Sequence, residues 1–235
     1  MKRLVIDTDT GVDDAQALLM AFAHPDVKVE AIMSVAGNVG VEKTTANVLK
    51  VLDVVGQDVP VYRGCDRALI HSLPDASDAH GNDGLGGADV SVSQRPIEQE
   101  HAVRALIRLA NEHPGELTLV ALGPLTNIAL ATRIDPDLPG KYKELVIMGG
   151  AVRGKGNTEI VTAEFNIFYD PDAAHIVFSE WPMLTMSDWE VTMNQGLTAA
   201  QFDELRTAPS PRGQFFRKIT DRTVKRMAEF GRTIF

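Results

Sequence analysis

Leu4-Val5-Ile6-Asp7-Thr8-Asp9-Thr10-Gly11-Val12-Asp13-Asp14 decides the fold. The short apolar, β-branched run over residues 3–7 reads as a buried strand. Gly11 turns the chain. The alanine- and leucine-rich segment from Asp13 to Ala23 reads as a helix, with Asp13 and Asp14 in the first turn, where negative charge is favoured. Four aspartates, Asp7, Asp9, Asp13 and Asp14, fall within eight residues. That much negative charge at the end of a buried strand is costly unless a cation or a proton offsets it. Oxygen-only donors suit a hard divalent ion such as calcium or magnesium.

Outward from this run, elements alternate. Val27 to Val35 reads as a strand, Val41 to Val55 as a helix and Val59 to Tyr62 as a short strand. Strand, helix, strand, helix, strand implies parallel pairing with right-handed crossovers. Residues 64–97, rich in Gly, Asp, Ser and Pro, break the pattern and read as a long loop, a length that usually carries function. The alternation resumes with helices at His101 to Glu112 and Leu125 to Ala131 around a strand at Leu117 to Leu122. A strand at Glu144 to Met148, a helix at Pro171 to Glu180, a strand at Met183 to Met186 and a helix at Ala199 to Leu205 follow. Gly213 to Phe230 is amphipathic and basic, with Arg217, Lys218, Arg222, Lys225 and Arg226, and reads as a solvated helix face. No linker or repeat divides residues 1–235, so a single α/β domain is expected.

Bulk properties bound the function. The formal net charge of −9 argues against nucleic acid as a partner. The sole cysteine, Cys65, excludes an internal disulfide framework and fits a reducing, cytoplasmic setting. The apolar run after Lys2-Arg3 is too short for a signal peptide, and no stretch approaches a membrane span.

In open parallel sheets, ligands bind at the carboxyl ends of strands. Beside the aspartate run, those ends carry Ala36-Gly37-Asn38, Leu122-Gly123-Pro124-Leu125-Thr126-Asn127, and a polar run from Asn157 to Asn166 after Met148-Gly149-Gly150. Asp7-Thr8-Asp9-Thr10-Gly11-Val12-Asp13-Asp14 resembles the signature of the inosine-uridine preferring nucleoside hydrolase family. The similarity continues in the family's order through Gly37-Asn38, His80-Gly81 with Gly84-Leu85, and the run from Gly123 to Asn127. Met148-Gly149-Gly150, Ala163-Glu164-Phe165-Asn166 and Asp170-Pro171-Asp172-Ala173-Ala174 complete it.

The resemblance implies an α/β fold with an open, mostly parallel, Rossmann-like central sheet flanked by helices. It implies calcium-dependent hydrolysis of the N-glycosidic bond of a ribonucleoside to ribose and free base, in nucleoside salvage, by a homodimer or homotetramer. Asp9 would ligate Ca2+ and act as general base on a water activated by the metal. Asp14 and the main-chain carbonyl of Leu122, where many relatives carry threonine, would be further calcium ligands. Asp13, Asn38, Asn157, Glu164 and Asn166 would grip the ribose hydroxyls. Asp7 would support them from behind. His80 would face the base, which leans toward pyrimidines. Phe215 and Phe216 read as core.

Besides the mild change at Leu122, the chain departs from the family pattern at its end. A late His-Asp pair, supplying a calcium ligand and an acid for the leaving base, has no counterpart: no His follows His175 and no Asp follows Asp221. The expectation is a domain lacking the family's C-terminal segment, with weaker calcium binding and a sheet edge that self-association would cover. Two alternatives stand beside hydrolysis: a non-catalytic ribose- or nucleoside-binding or assembly remnant, and an Asp-x-Asp phosphatase. The Thr10-Gly11 order and the Asp13-Asp14 pair argue against the phosphatase.

Overall fold

β1 (Lys2–Thr8) lies inside the sheet and carries the first aspartates to its carboxyl edge. The computed structural model describes residues 1–71 and 75–229. After β1 come α1 (Val12–Ala21), β2 (Val27–Ser34), α2 (Val41–Val55), β3 (Val61–Arg63), the single turn α3 (Ser77–His80) and α4 (Ala102–Glu112). β4 (Leu117–Ala121), α5 (Thr126–Ile134), α6 (Leu138–Lys141), β5 (Glu144–Met148), α7 (Phe165–Tyr169) and α8 (Pro171–Glu180) follow. β6 (Thr185–Ser187), α9 (Trp189–Asn194), α10 (Ala199–Thr207) and α11 (Pro211–Glu229) complete the order.

The six strands run in the order β3-β2-β1-β4-β5-β6, and every pairing is parallel. The chain winds outward from β1 to β3, then returns to β1's other side with β4. That reversal opens a crevice between the carboxyl ends of β1 and β4. The register sets Asp7 beside Ala121 on β4 and Thr8 beside Ser34 on β2. Asp9, Asn38 and Gly123 therefore leave neighbouring strands into the same space.

Alternation along β1 feeds two cores. Val5 packs with Met33, Leu119, Ile147, Ile128 and Val177 on the face covered by α4, α5, α6 and α8. Ile6 packs with Leu18, Ile32, Val48, Phe216 and Ile219 on the face covered by α1, α2, α10 and α11. Phe215 and Phe216 are core residues, as expected from sequence. At the far edge, β6 has β5 as its partner among the described residues.

Several expected bounds shift by a residue or two. The last strand starts at Thr185, not Met183, whose side chain is 83% exposed. Within the expected loop 64–97 the chain forms α3 and then turns through Gly81, Gly84, Gly86 and Gly87, all at positive φ. Residues 72–74 of that loop and 230–235, including the end of the basic stretch and the terminal apolar pair, lie outside the described residues. No helix among the described residues is long and apolar enough to cross a membrane.

Candidate active site

Asp7, Thr8 and Asp9 are fully buried as β1 ends. Gly11 caps α1, and Asp14, three residues on, turns back so that its Oδ2 accepts from the Gly11 N–H at 2.9 Å. The other oxygen, Oδ1, accepts from the Thr8 hydroxyl at 2.8 Å. Asn38, just past β2, ties both buried carboxylates together. Its backbone N–H donates to Asp9 Oδ2 at 2.8 Å, and its side-chain amide donates to Asp14 Oδ2 at 3.1 Å.

Asp9 Oδ1 is buried and has no partner among the described residues. Two glycines make room for this carboxylate. A Cβ at Gly123 would stand 2.7 Å from Oδ1, and one at Gly37 would overlap Oδ2. Among the described residues, no Lys or Arg bonds any of the four aspartates. Burial, then the Asp14 charge, drives Asp9 well above the usual carboxylate range, against the pull of the Asn38 N–H. Burial, then the Asp13 charge, raises Asp14 to about 7.

The four aspartates do not form one cage. Asp7 faces Asn127, whose amide donates to Asp7 Oδ2 at 2.8 Å, and burial raises Asp7 to about 7. Its second oxygen is also unpartnered. A nucleophilic Asp7, as a phosphatase would need, is thus sealed beneath the crevice. Asp13 is largely exposed at the rim. Among the described residues no group of three or more His, Cys, Asp and Glu is arranged to hold a metal. What converges is a carboxylate pair, Asp9 and Asp14. An unpartnered buried carboxylate oxygen amid uncompensated acid fits a hard cation completed by carbonyl and water oxygens.

The Leu122 carbonyl accepts from the Asn166 amide at 2.8 Å, and the same amide reaches Met148 O at 3.1 Å, joining the ends of β4 and β5. A carbonyl has a second lone pair, so this bond leaves Leu122 able to meet a cation. Glu164 is buried and caps α7. Its carboxylate accepts from the backbone N–H groups of Asn166, Ile167 and Gly150 at 3.0, 3.2 and 2.9 Å. Burial raises its pKa against those three donors. Asn157 is exposed and bonds through Oδ1 to the Phe165 N–H at 2.8 Å rather than to the carboxylate pair.

His80 ends α3 and reaches the start of α1. Its Nδ1 accepts from the Val12 N–H at 3.2 Å and lies 3.7 Å from Asp13 Oδ1. The acceptor role places the ring proton on Nε2. Gly11 permits this approach, since a Cβ there would sit 2.6 Å from His80 Nδ1.

Two supporting residues escaped the sequence reading. Asn127 bonds Asp7, Ser34 O at 3.0 Å and the Cys65 N–H at 2.9 Å, knitting three strand ends together. Asn47 sits buried in α2 and donates to Thr10 O at 3.1 Å and Asp83 O at 2.8 Å, linking the aspartate run to the His80 segment. Asn127 closes the run from Gly123. Asn47 lies mid-helix, and an asparagine on a buried helix face was its one signal.

The family model described as inosine-uridine preferring nucleoside hydrolase matches residues 4–233. The inosine-uridine preferring nucleoside hydrolase of Leishmania major is 38% identical over 223 residues, spanning 94% of this chain and 70% of that protein. The pyrimidine-specific ribonucleoside hydrolase RihB of Escherichia coli (strain SE11) is 37% identical over 228 residues, 97% of this chain and 72% of that one. Among solved structures, the plant nucleoside hydrolase PpNRh1 superposes with a TM-score of 0.93 at 33% identity, covering 100% of this chain and 74% of its own. These relatives are enzymes that hydrolyse nucleosides. With the family model matched over residues 4–233 and 37–38% identity to these hydrolases over nearly its whole length, this chain belongs to the inosine-uridine preferring nucleoside hydrolase family.

Proposed function

We propose that this chain cleaves the N-glycosidic bond of a ribonucleoside to give ribose and the free base, with Asp9 as general base and calcium as the metal. The observation that carries this reading is the Asp9 carboxylate: one oxygen fixed by the Asn38 N–H, the other buried and unpartnered. Asp9, Asp14 and the Leu122 carbonyl would hold the ion. Calcium bound there supplies positive charge that lowers the pKa of a coordinated water.

The residues of the chain divide the remaining work. Asp9 takes the proton of the attacking water, whose oxygen bonds C1′ as the C–N electron pair leaves with the base. Asp13, Asn38, Asn157, Glu164 and Asn166 bind the ribose hydroxyls. Asn166 commits its amide to Leu122 and Met148, which leaves its carbonyl oxygen as an acceptor for a hydroxyl. His80, with its one ring proton on Nε2, donates a hydrogen bond to the departing base, which takes its proton from solvent. Service in nucleoside salvage, as a cytoplasmic homodimer or homotetramer, extends the same reading.

Base release from inosine and uridine tests it. Turnover with calcium, its loss in EDTA, and a fall of about 10³-fold in Asp9→Asn are expected. Nucleoside binding without turnover at saturating calcium would favour the non-catalytic reading instead.

A further inference from the structure

The basic face of α11 is not simply solvated. Arg222 and Arg226, one turn apart, both donate to the backbone carbonyl of Asp78, at 3.1 and 2.8 Å. Asp78 belongs to α3, the single turn that ends in His80. Further along the same segment, Lys218 Nζ donates to Asp89 O at 3.1 Å. Between these points Gly86 lies so close to α11 that a Cβ there would stand 2.6 Å from Ile219 O. α2 holds the other side, through Lys43 to Asn82 O at 2.7 Å and Asn47 to Asp83 O. Four cations, three of them from α11, thus address main-chain carbonyls of one loop rather than carboxylates. A guanidinium on a carbonyl fixes a backbone position whatever side chain that residue bears.

We propose that Arg222 and Arg226 are positioning residues: from α11 they latch the α3 turn and so hold the His80 ring against the start of α1. The latch sets where the Nε2–H points while α11 itself stays anchored in the core by Phe215, Phe216 and Ile219. Its effect on rate, though not the latch, rests on the hydrolase reading above. Without the latch, α3 keeps its α2 contacts beyond His80 and the Ala76 N–H to Asn38 O bond at its start, but loses both bonds at Asp78, two residues before His80. His80 then exchanges the Val12 N–H for solvent.

The test uses the full chain with the substitutions R222A/R226A, with R222K/R226K as the conservative pair and Arg217→Ala, on the same helix, as control. Two-bond proton–nitrogen spectra of the His80 imidazole should show a single Nε2–H tautomer in the parent chain, in the lysine pair and in Arg217→Ala. In R222A/R226A the signals should move to the averaged positions of a free imidazole. Unchanged His80 signals would overturn the proposal. In base release, R222A/R226A should lower kcat/KM about tenfold when His80 is present and less than twofold in a His80→Ala background. Equal losses in both backgrounds would overturn it, since they would mark general damage. A parent chain with no turnover but the expected His80 signals would sink the hydrolase reading and support the latch.

Discussion

The backbone N–H of Asn38 donates to Asp9 Oδ2 at 2.8 Å, and this bond joins the end of β2 to the end of β1 beside the crevice. It fixes the carboxylate while leaving Oδ1 unpartnered. A buried charged group in that state is unfavourable in isolation. Site and stability are therefore coupled.

Gly37 and Gly123 should be intolerant of a methyl group. Gly123→Ala brings a carbon to 2.7 Å from Asp9 Oδ1, and Gly37→Ala overlaps Oδ2. Each should lower stability by about 1–3 kcal/mol and weaken calcium binding as Asp9 is displaced. Gly140→Ala, which meets nothing within 4 Å, should do neither. Urea unfolding with and without calcium checks both.

The metal-free chain should lose stability as pH rises from about 4 to about 7. Asp7 and Asp14 have folded-state pKa values of about 7, above their ordinary 3.8. Between those values the native state holds protons that the unfolded chain has released, so the stabilisation is complete below about pH 4 and disappears through pH 7. Each group contributes on the order of a few kcal/mol. Asp7→Asn should flatten the slope of unfolding free energy against pH in EDTA, and calcium should flatten Asp14's share. An unaltered slope in Asp7→Asn would show that Asp7 is ionised throughout.

Asn127→Ala should destabilise the chain by about 1–3 kcal/mol, because it strands Asp7 Oδ2 and the Cys65 N–H and leaves Ser34 O with the Gly64 N–H alone. Asn127→Asp should be worse above pH 7, placing a second carboxylate against Asp7. Thermal melts at pH 5 and pH 8 separate the two effects.

Much of this was legible in the sequence. α2, β5 and α8 fall on their expected bounds, because strong periodicity, a C-terminal glycine at Gly56 and Pro171 punctuate them. The aspartate run marked the crevice, because short-range order delivers Asp9 and Asp14 from one strand–helix turn. What sequence could not give was the direction of each side chain. Asp7 lies in β1 and Asp9 one residue past its end, two apart in sequence, yet one meets Asn127 and the other Asn38. Nor does the charge pattern of α11 tell a solvated face from one turned to the carbonyls of a loop some 140 residues earlier. The short α7 rests on its N-cap Glu164, whose carboxylate is also held from a distance by the Gly150 N–H, rather than on strong helix periodicity.

Calorimetric titration of calcium, followed by ribose, into the parent chain and into Asp14→Asn is the most direct test of the buried carboxylate pair as a cation site. The expected result is one calcium per chain, binding strengthened by ribose, and both lost in Asp14→Asn. Calcium binding of equal strength in the parent and Asp14→Asn, or none in either, would contradict the account.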